Sequence, residues 1–207
     1  MKAVAQVLLL SLGCLLLAAC AAPRKEPDTV RYYTLEYPPP EASAAAPDGC
    51  TLRVERFQAA PAFATNRIIY RENAFERQAY TYHRWRAAPA ELVAFFLARD
   101  MRHSKVCEAV YGYDSHFSAS HAVEGSVEEF LEIDARDRWE AHLSVSVTLL
   151  RENEPDVSRR VLFQKSYSES QACTQKTPSA LAEAMSAAMS RASRAILSDI
   201  RNRLADQ

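Results

Sequence analysis

Cys20 is the residue of this chain whose chemistry is most clearly indicated by its neighbours. It directly follows Leu17, Ala18 and Ala19, which are small or aliphatic residues. A cysteine thiolate is a nucleophile, so the Cys20 sulfur can be alkylated by a diacylglyceryl group. Cleavage of the Ala19–Cys20 bond then frees an amine that can take a third acyl chain. Each buried methylene contributes roughly 0.8 kcal/mol, so two or three chains together hold a protein on a membrane almost permanently.

The residues before Cys20 have the layout of a secretory signal peptide. Lys2 supplies a positive charge, and residues 4–17 are almost wholly apolar. This run is too short for a comfortable membrane span of about 20 residues. The segment ending at Cys20 resembles the lipobox of bacterial lipoproteins, whose cysteine becomes the first residue of the mature chain. An ordinary signal peptide, with an incidental Cys20, is the alternative.

This interpretation divides the chain into three parts. Residues 1–19 are the predicted signal peptide, 20–29 a lipidated tether, and 30–207 a single domain. In the Gram-negative sorting rule that the lipobox resemblance brings with it, an Asp after the lipidated cysteine retains a lipoprotein in the inner membrane. Residue 21 is Ala, so we expect anchoring on the periplasmic face of the outer membrane.

Other side chains that could do chemistry do not form a catalytic or metal-binding pattern. The five histidines show no metalloprotease spacing, four glycines cannot supply a phosphate-binding loop, and no Gly-x-Ser-x-Gly motif occurs. Glu124, Glu128 and Glu132 should lie on one face of a predicted strand, which we interpret as a solvated strand face. We therefore predict a binding protein rather than an enzyme, with no cofactor and no metal. A net charge of −1 without a basic cluster also predicts no nucleic-acid partner.

Three cysteines remain after Cys20 in a chain that we expect to reach an oxidising compartment. They are Cys50, Cys107 and Cys173, and their odd number allows one disulfide and one free thiol. Cys50 and Cys107 each begin a predicted strand. If these strands lie parallel in the sheet, both cysteines fall at the same sheet end. We predict a Cys50–Cys107 disulfide with Cys173 free, and Cys107–Cys173 is the alternative.

Hydrophobic periodicity predicts a mixed, largely antiparallel sheet with two main helices. Predicted strands cover residues 30–37, 52–57, 67–71, 80–85, 106–111, 122–133, 143–149 and 161–167, and predicted helices cover 89–103 and 178–204. Strands 67–71 and 80–85 should pair with each other. The last three strands should be antiparallel neighbours because their links are short. The pattern leaves open whether the two helices cover one sheet face or both.

An aromatic-rich segment in the first half of the chain is our candidate partner surface. It contains Tyr70, Tyr80, Tyr82 and Trp85, and aromatic residues are common in protein interfaces. They are also common in ordinary strands, which is the alternative interpretation of this segment.

The order of motifs behind the lipobox resembles one protein family. These motifs are Tyr32-Tyr33-Thr34-Leu35, Leu52-Arg53-Val54, Ile68-Ile69-Tyr70-Arg71, Tyr82-His83-Arg84-Trp85, Glu124-Gly125-Ser126-Val127-Glu128-Glu129-Phe130, the strand Leu143–Leu149 and the Ala-rich last helix. The resemblance is to the ABC-type transport auxiliary lipoproteins, including PqiC-like lipoproteins, which accompany mammalian-cell-entry (MCE) domain lipid transport systems.

The resemblance carries expectations about fold, function and partners. It implies an α/β domain similar to the N-terminal domain of TolB and to anticodon-binding-like domains. It also implies a lipid-anchored auxiliary role beside an MCE-domain protein, with ATP hydrolysis left to another subunit. Candidate partners are thus the outer membrane, an MCE-domain protein and a second copy of this chain. The alternative is a structural outer-membrane lipoprotein that stabilises an envelope assembly without lipid traffic.

Overall fold

The computed structural model describes residues 29–42, 46–136 and 138–206. Within them the chain forms nine strands and three α-helices. The strands are β1 (Arg31–Tyr33), β2 (Thr51–Val54), β3 (Gln58–Ala59), β4 (Arg67–Arg71), β5 (Gln78–Trp85), β6 (Ala109–Gly112), β7 (His121–Ala135), β8 (Arg138–Arg151) and β9 (Val161–Ala172). The α-helices are α1 (Pro89–His103), α2 (Val157–Arg160) and α3 (Pro178–Ala205), and a 3-10 helix covers Pro61–Phe63. The predicted signal peptide and Cys20 lie outside the described residues.

The sheet is organised around its longest strand, β7. One edge of β7 pairs with β8 along the whole strand, and β8 pairs with β9; both pairings are antiparallel. The other edge of β7 pairs in succession with β2, β3 and β4, all parallel. From there the sheet extends through antiparallel β5 to parallel β1, and through β2 to parallel β6. The mixed sheet, with its longest ladders antiparallel, confirms the predicted fold class.

The last helix and the strands beneath it follow the predicted periodicity closely. Thr177 caps α3 by accepting a hydrogen bond at its Oγ1 from the Ala180 N–H at 3.3 Å, and Pro178 occupies the first turn. The predicted apolar stripe of α3 is fully buried: Leu181, Met185, Ala188, Ala192, Ile196, Ile200 and Leu204. Leu143, Val145, Val147 and Leu149 of β8 are buried beneath it. The intervening Ser144 and Ser146 are only half-buried, on the other sheet face.

The two long helices lie side by side on the same side of the sheet. Asp100 of α1, which has no exposed surface, accepts hydrogen bonds at one oxygen from Ser193 of α3 at 2.6 Å and from Tyr37 at 2.9 Å. Its other oxygen accepts one from Arg99 Nε at 2.9 Å. A buried carboxylate needs such a set of donors. This contact shows that both helices cover the same face of the sheet, which the periodicity alone does not decide.

Several predicted strand boundaries differ from the structure, and in two of these strands tertiary contacts remove residues from the sheet. Only Arg31–Tyr33 of the predicted strand 30–37 is paired, and the chain then leaves the sheet to run along α3, where the Glu36 N–H donates to Ser186 Oγ at 2.9 Å. Strand 106–111 begins only at Ala109. The buried Val106 belongs instead to the turn that closes α1, with its N–H donating to the Met101 carbonyl.

A β-bulge changes which face of β7 the glutamates occupy. The pairing with β8 shifts between Val127 and Glu129, so that Glu128 has no partner residue. One extra residue reverses the alternation of side chains. Glu132 consequently lies on the helix side of the sheet, where it is 1% exposed. The expectation that Glu124, Glu128 and Glu132 share one solvated face is therefore wrong.

Candidate binding surfaces

A parallel strand pair and the helix between its strands build the first candidate surface. β2 and β6 are neighbours, with Thr51 opposite Ala109, and α1 connects them. At the beginning of this pair, Cys50 and Cys107 are joined by a disulfide, with their Cα atoms 4.9 Å apart. The cross-link ties the turn after α1 to the start of β2.

Cys173 is the free cysteine of the described residues and lies beyond the end of β9. Burial raises the pKa of its thiol to about 11, and the nearby Glu132 acts in the same direction. A thiol with such a pKa is almost entirely protonated at neutral pH and is a poor nucleophile. This environment gives Cys173 no catalytic activation.

An apolar groove opens where β2 and β6 end. It has a volume of about 350 Å³, which is within the range of small-ligand and side-chain pockets. Helix α1 lines it with Ala90, Ala94 and Ala98, which recur every four residues and therefore share one stripe of the helix. Phe57 lines the groove from the β2 side. The small alanine side chains leave the space that a larger apolar group from outside can fill.

Two exposed aromatic rings stand at this groove. Phe95 of α1 is 61% exposed and Tyr113, just after β6, is 52% exposed. The Arg56 guanidinium lies 4.5 Å from the centre of the Tyr113 ring, a cation–π distance. Aromatic residues and arginine around an apolar centre are the composition of protein interfaces. Glu91 and Asp114 also line the groove, so both signs of charge are present. We name the surface formed by the groove, Phe95 and Tyr113 the α1 groove.

The predicted Tyr70–Trp85 partner surface is not one surface. Trp85 is 1% exposed and packs edge-to-face on Phe130, with ring centres 5.1 Å apart, so it cannot contact a partner. Tyr70 and Tyr80 are half-buried with their rings 5.0 Å apart. Tyr82 is the most exposed member of the set, at 43%.

The half-buried tyrosines contribute to a polar cluster around Glu132. The Tyr80 hydroxyl lies 3.1 Å from each oxygen of the Glu132 carboxylate, and the Trp139 indole N–H also donates to it. Burial raises the pKa of Glu132, although these two donors act against that shift. The carboxylate in turn raises the pKa of Tyr80, whose own burial is the larger cause. The cluster joins β5, β7 and β8 and we interpret it as structural.

The histidines do not converge on one site. His83 is hydrogen-bonded to the Tyr33 hydroxyl at 2.9 Å, His142 Nε2 lies 2.9 Å from Glu129, and His116 is exposed in the loop before β7. No group of three His, Cys, Asp or Glu side chains within the described ranges is arranged to hold a metal ion. In the same part of the chain, none of the helices has the length and apolar character that crossing a membrane requires.

The family of the protein follows from comparison with known sequences. The model of the ABC-type transport auxiliary lipoprotein component family matches residues 33–197. The chain belongs to this family. The matched region contains the disulfide, the α1 groove and most of α3. Members are membrane-anchored envelope lipoproteins that assist ABC-type transport systems, and the family is not one of enzymes.

Solved structures with the same fold support this assignment of architecture. A protein from Xanthomonas campestris has a TM-score of 0.76 at 16% identity, covering 86% of this chain and 98% of its own. An uncharacterized protein has a TM-score of 0.65 at 14% identity, with 83% and 99% covered. A hypothetical protein from Chlamydia trachomatis has a TM-score of 0.54 at 10% identity, with 76% and 99% covered. At these identities the likeness concerns the fold alone. No curated protein matches the chain.

The α1 groove was not predicted from the sequence, although one signal for it exists. The buried stripe of α1 contains Leu92, Val93, Phe96, Leu97 and Met101, which the periodicity predicts correctly. Phe95 lies outside that stripe. A large aromatic side chain on the solvent side of an amphipathic helix is the kind of exposed apolar residue that indicates an interaction site.

Proposed function

We propose that this protein is the lipid-anchored auxiliary component of an MCE-type ABC transport system that moves phospholipid or other lipids across the envelope. The family match over residues 33–197 carries the proposal. The anchor would be Cys20, processed at the Ala19–Cys20 bond, and Ala21 supports placement on the periplasmic face of the outer membrane. The protein would act by binding its partner and would leave ATP hydrolysis to another subunit.

The α1 groove is our candidate contact for the MCE-domain protein. Its apolar floor and the Phe95 and Tyr113 rings would accept apolar side chains of the partner. The charges at Arg56, Glu91 and Asp114 would form a polar rim, as in other protein interfaces. The disulfide at the far end of β2 and β6 would keep the groove in one shape before binding, which lowers the entropy cost of association.

Affinity purification of the full-length protein from detergent-solubilised envelopes tests this function. We expect wild type to retain an MCE-domain protein and an ABC-system subunit, identified by mass spectrometry. Phe95→Ser should lose most of this recovery, because truncating an aromatic anchor in an interface commonly costs about 2 kcal/mol or more. Val157→Ser is the matched control, since Val157 is also an exposed apolar residue but lies in α2, outside the residues that line the groove.

The proteins that co-purify distinguish the transport role from a purely structural role in the envelope. Recovery of envelope proteins without any transport subunit would favour a structural lipoprotein and contradict lipid transport. Equal recovery with Phe95→Ser and Val157→Ser would leave the transport role intact and remove the α1 groove as its contact. Self-association of this chain stays a separate prediction. Measuring the molar mass of the purified protein in solution would test it.

A further inference from the structure

Phe75 is the most exposed large apolar side chain among the described residues. It lies in the loop 72–77 between β4 and β5, with its side chain entirely open to solvent. Burying a phenylalanine ring is favourable by about 1.5–3 kcal/mol. A ring presented in this way at a loop tip therefore indicates a surface that it enters.

The loop that carries Phe75 is held in one conformation by its own hydrogen bonds. Asn73 Oδ1 accepts hydrogen bonds from the N–H groups of Phe75 and Glu76, both at 3.1 Å. Asn73 Nδ2 donates to the Glu76 carboxylate at 3.1 Å, and Arg77 Nη1 donates to the Ala74 carbonyl at 3.2 Å. The ring is thus projected from a loop whose backbone is already ordered.

The direction of β1 places the N-terminal tether at the same end of the molecule. β1 is parallel to β5, with Arg31 opposite His83. The chain that precedes Arg31 therefore enters the domain from the side where β5 begins, at Gln78, directly after the Phe75 loop. From His83 back to Gln78 the distance is at most about 17 Å at the usual rise per strand residue.

The length of the tether matches this geometry. Residues 20–28 number nine, and a chain spans at most about 3.5 Å per residue, so they reach about 30 Å. That is enough to set Cys20 level with the tip of the Phe75 loop. A lipid anchor at Cys20 would then hold the membrane surface within reach of the Phe75 ring.

The charges beside Phe75 are compatible with a phospholipid surface. Residues 71–77 carry two arginines and two glutamates, and both arginines also lie within 4 Å of the Glu129 carboxylate, so the tip has no excess of positive charge. Entry of the ring into a membrane interface would therefore depend on apolar contact rather than on anionic lipids.

We propose that the β4–β5 loop of this protein inserts the Phe75 ring into the membrane leaflet that holds the lipid anchor. The proposal rests on the lipidation of Cys20 in the proposed function, and it sets the orientation of the domain. β4 ends opposite Ile133, whereas β2 ends opposite Val123, ten residues earlier on β7. The α1 groove then lies about 30 Å further from the membrane than the Phe75 end, open to a periplasmic partner.

Bromine quenching of tryptophan emission tests the insertion on the lipidated full-length mature protein. Phe75→Trp places the probe at the tip, and Val157→Trp is the control at the opposite end, because Val157 follows Arg151, which pairs with the first residue of β7. Each variant and the wild type are reconstituted in phosphatidylcholine vesicles with and without brominated acyl chains. The wild type supplies the background from Trp85 and Trp139.

Phe75→Trp should lose emission in brominated vesicles beyond the wild-type background and show a blue-shifted maximum, whereas Val157→Trp should match that background. No additional quenching for Phe75→Trp, or equal quenching for both variants, would overturn the proposal; the first result would favour a protein contact for Phe75. The mass of the N-terminal peptide, measured beforehand, establishes the lipid on Cys20. A missing lipid is thus distinguished from a tip that stays out of the membrane.

Discussion

Gly125 of β7 lies directly against the ring of Phe57. A Cβ atom added at Gly125 would stand 2.2 Å from Phe57 Cε2 and 2.5 Å from Cζ, which is closer than non-bonded carbon atoms approach in proteins. Phe57 is buried and lines the α1 groove. The absence of a side chain at residue 125 thus allows the ring to pack against the sheet.

Gly125→Ala should therefore lower the free energy of unfolding by about 1–3 kcal/mol, the usual cost of overpacking a core. Urea unfolding followed by circular dichroism measures this change. The double variant Gly125→Ala/Phe57→Leu should be more stable than the sum of the two single changes predicts, because the smaller side chain relieves the clash. Additive effects would show that the two residues do not compete for space.

The Cys50–Cys107 disulfide should be present in protein isolated from the envelope. Non-reducing peptide mapping should recover the Cys50 and Cys107 peptides joined, with Cys173 carrying the alkylating reagent after unfolding. A peptide joining Cys173 to either partner would contradict the pairing. The double variant Cys50→Ser/Cys107→Ser should lose about 2–4 kcal/mol of stability, since the bond closes a long loop of the unfolded chain.

Local signals in the sequence determine much of this fold. Thr177 and Pro178 mark the start of α3, Pro89 marks that of α1, and the strict alternation from Leu143 to Leu149 identifies β8 and its buried face. In each case the signal lies within the element that it predicts, so neighbouring residues suffice to read it.

Features that depend on contacts between residues far apart in the sequence could not be predicted from local patterns. The bulge at Glu128 places the Glu132 side chain in the core. No residue type in β7 indicates where this extra residue is inserted. Trp85 is buried because Phe130, 45 positions later, packs against it. The sequence therefore points to an aromatic-rich segment as the candidate surface, whereas exposed Phe95 and Tyr113 come from separate elements that only the folded chain brings together.

Glu132 should make the free energy of unfolding fall as the pH rises. Its pKa is raised in the folded protein, chiefly by burial, so the folded state holds the proton more tightly than the unfolded chain. As the pH rises from about 4.3, the usual glutamate value, through the raised pKa, the unfolded state ionises first and stability falls. Below that window both states are protonated and the contribution is fully retained.

Glu132→Gln isolates this contribution, because the amide keeps an oxygen for Tyr80 and Trp139 but does not titrate. Urea unfolding of both proteins from pH 4 to pH 8 should show the stability of the variant rising relative to wild type as the pH increases. Glu128→Gln, at the exposed bulge, is the control and should follow wild type. A difference between Glu132→Gln and wild type that stays constant over this range would contradict the buried, proton-retaining carboxylate.

Membrane attachment should depend on the sulfur of Cys20 and on no other cysteine. Serine has a hydroxyl in place of the thiol and does not accept the diacylglyceryl group, so Cys20→Ser should be found soluble in the periplasm or unprocessed in the inner membrane. Cys173→Ser makes the same chemical change at a free thiol within the domain, and this control should fractionate with the outer membrane like wild type. Density-gradient separation of the membranes, with immunoblotting of each fraction, measures the distribution. Wild-type outer-membrane fractionation of Cys20→Ser would mean that something other than the lipid holds the protein there, since a single Phe75 ring is too small an apolar surface to retain it.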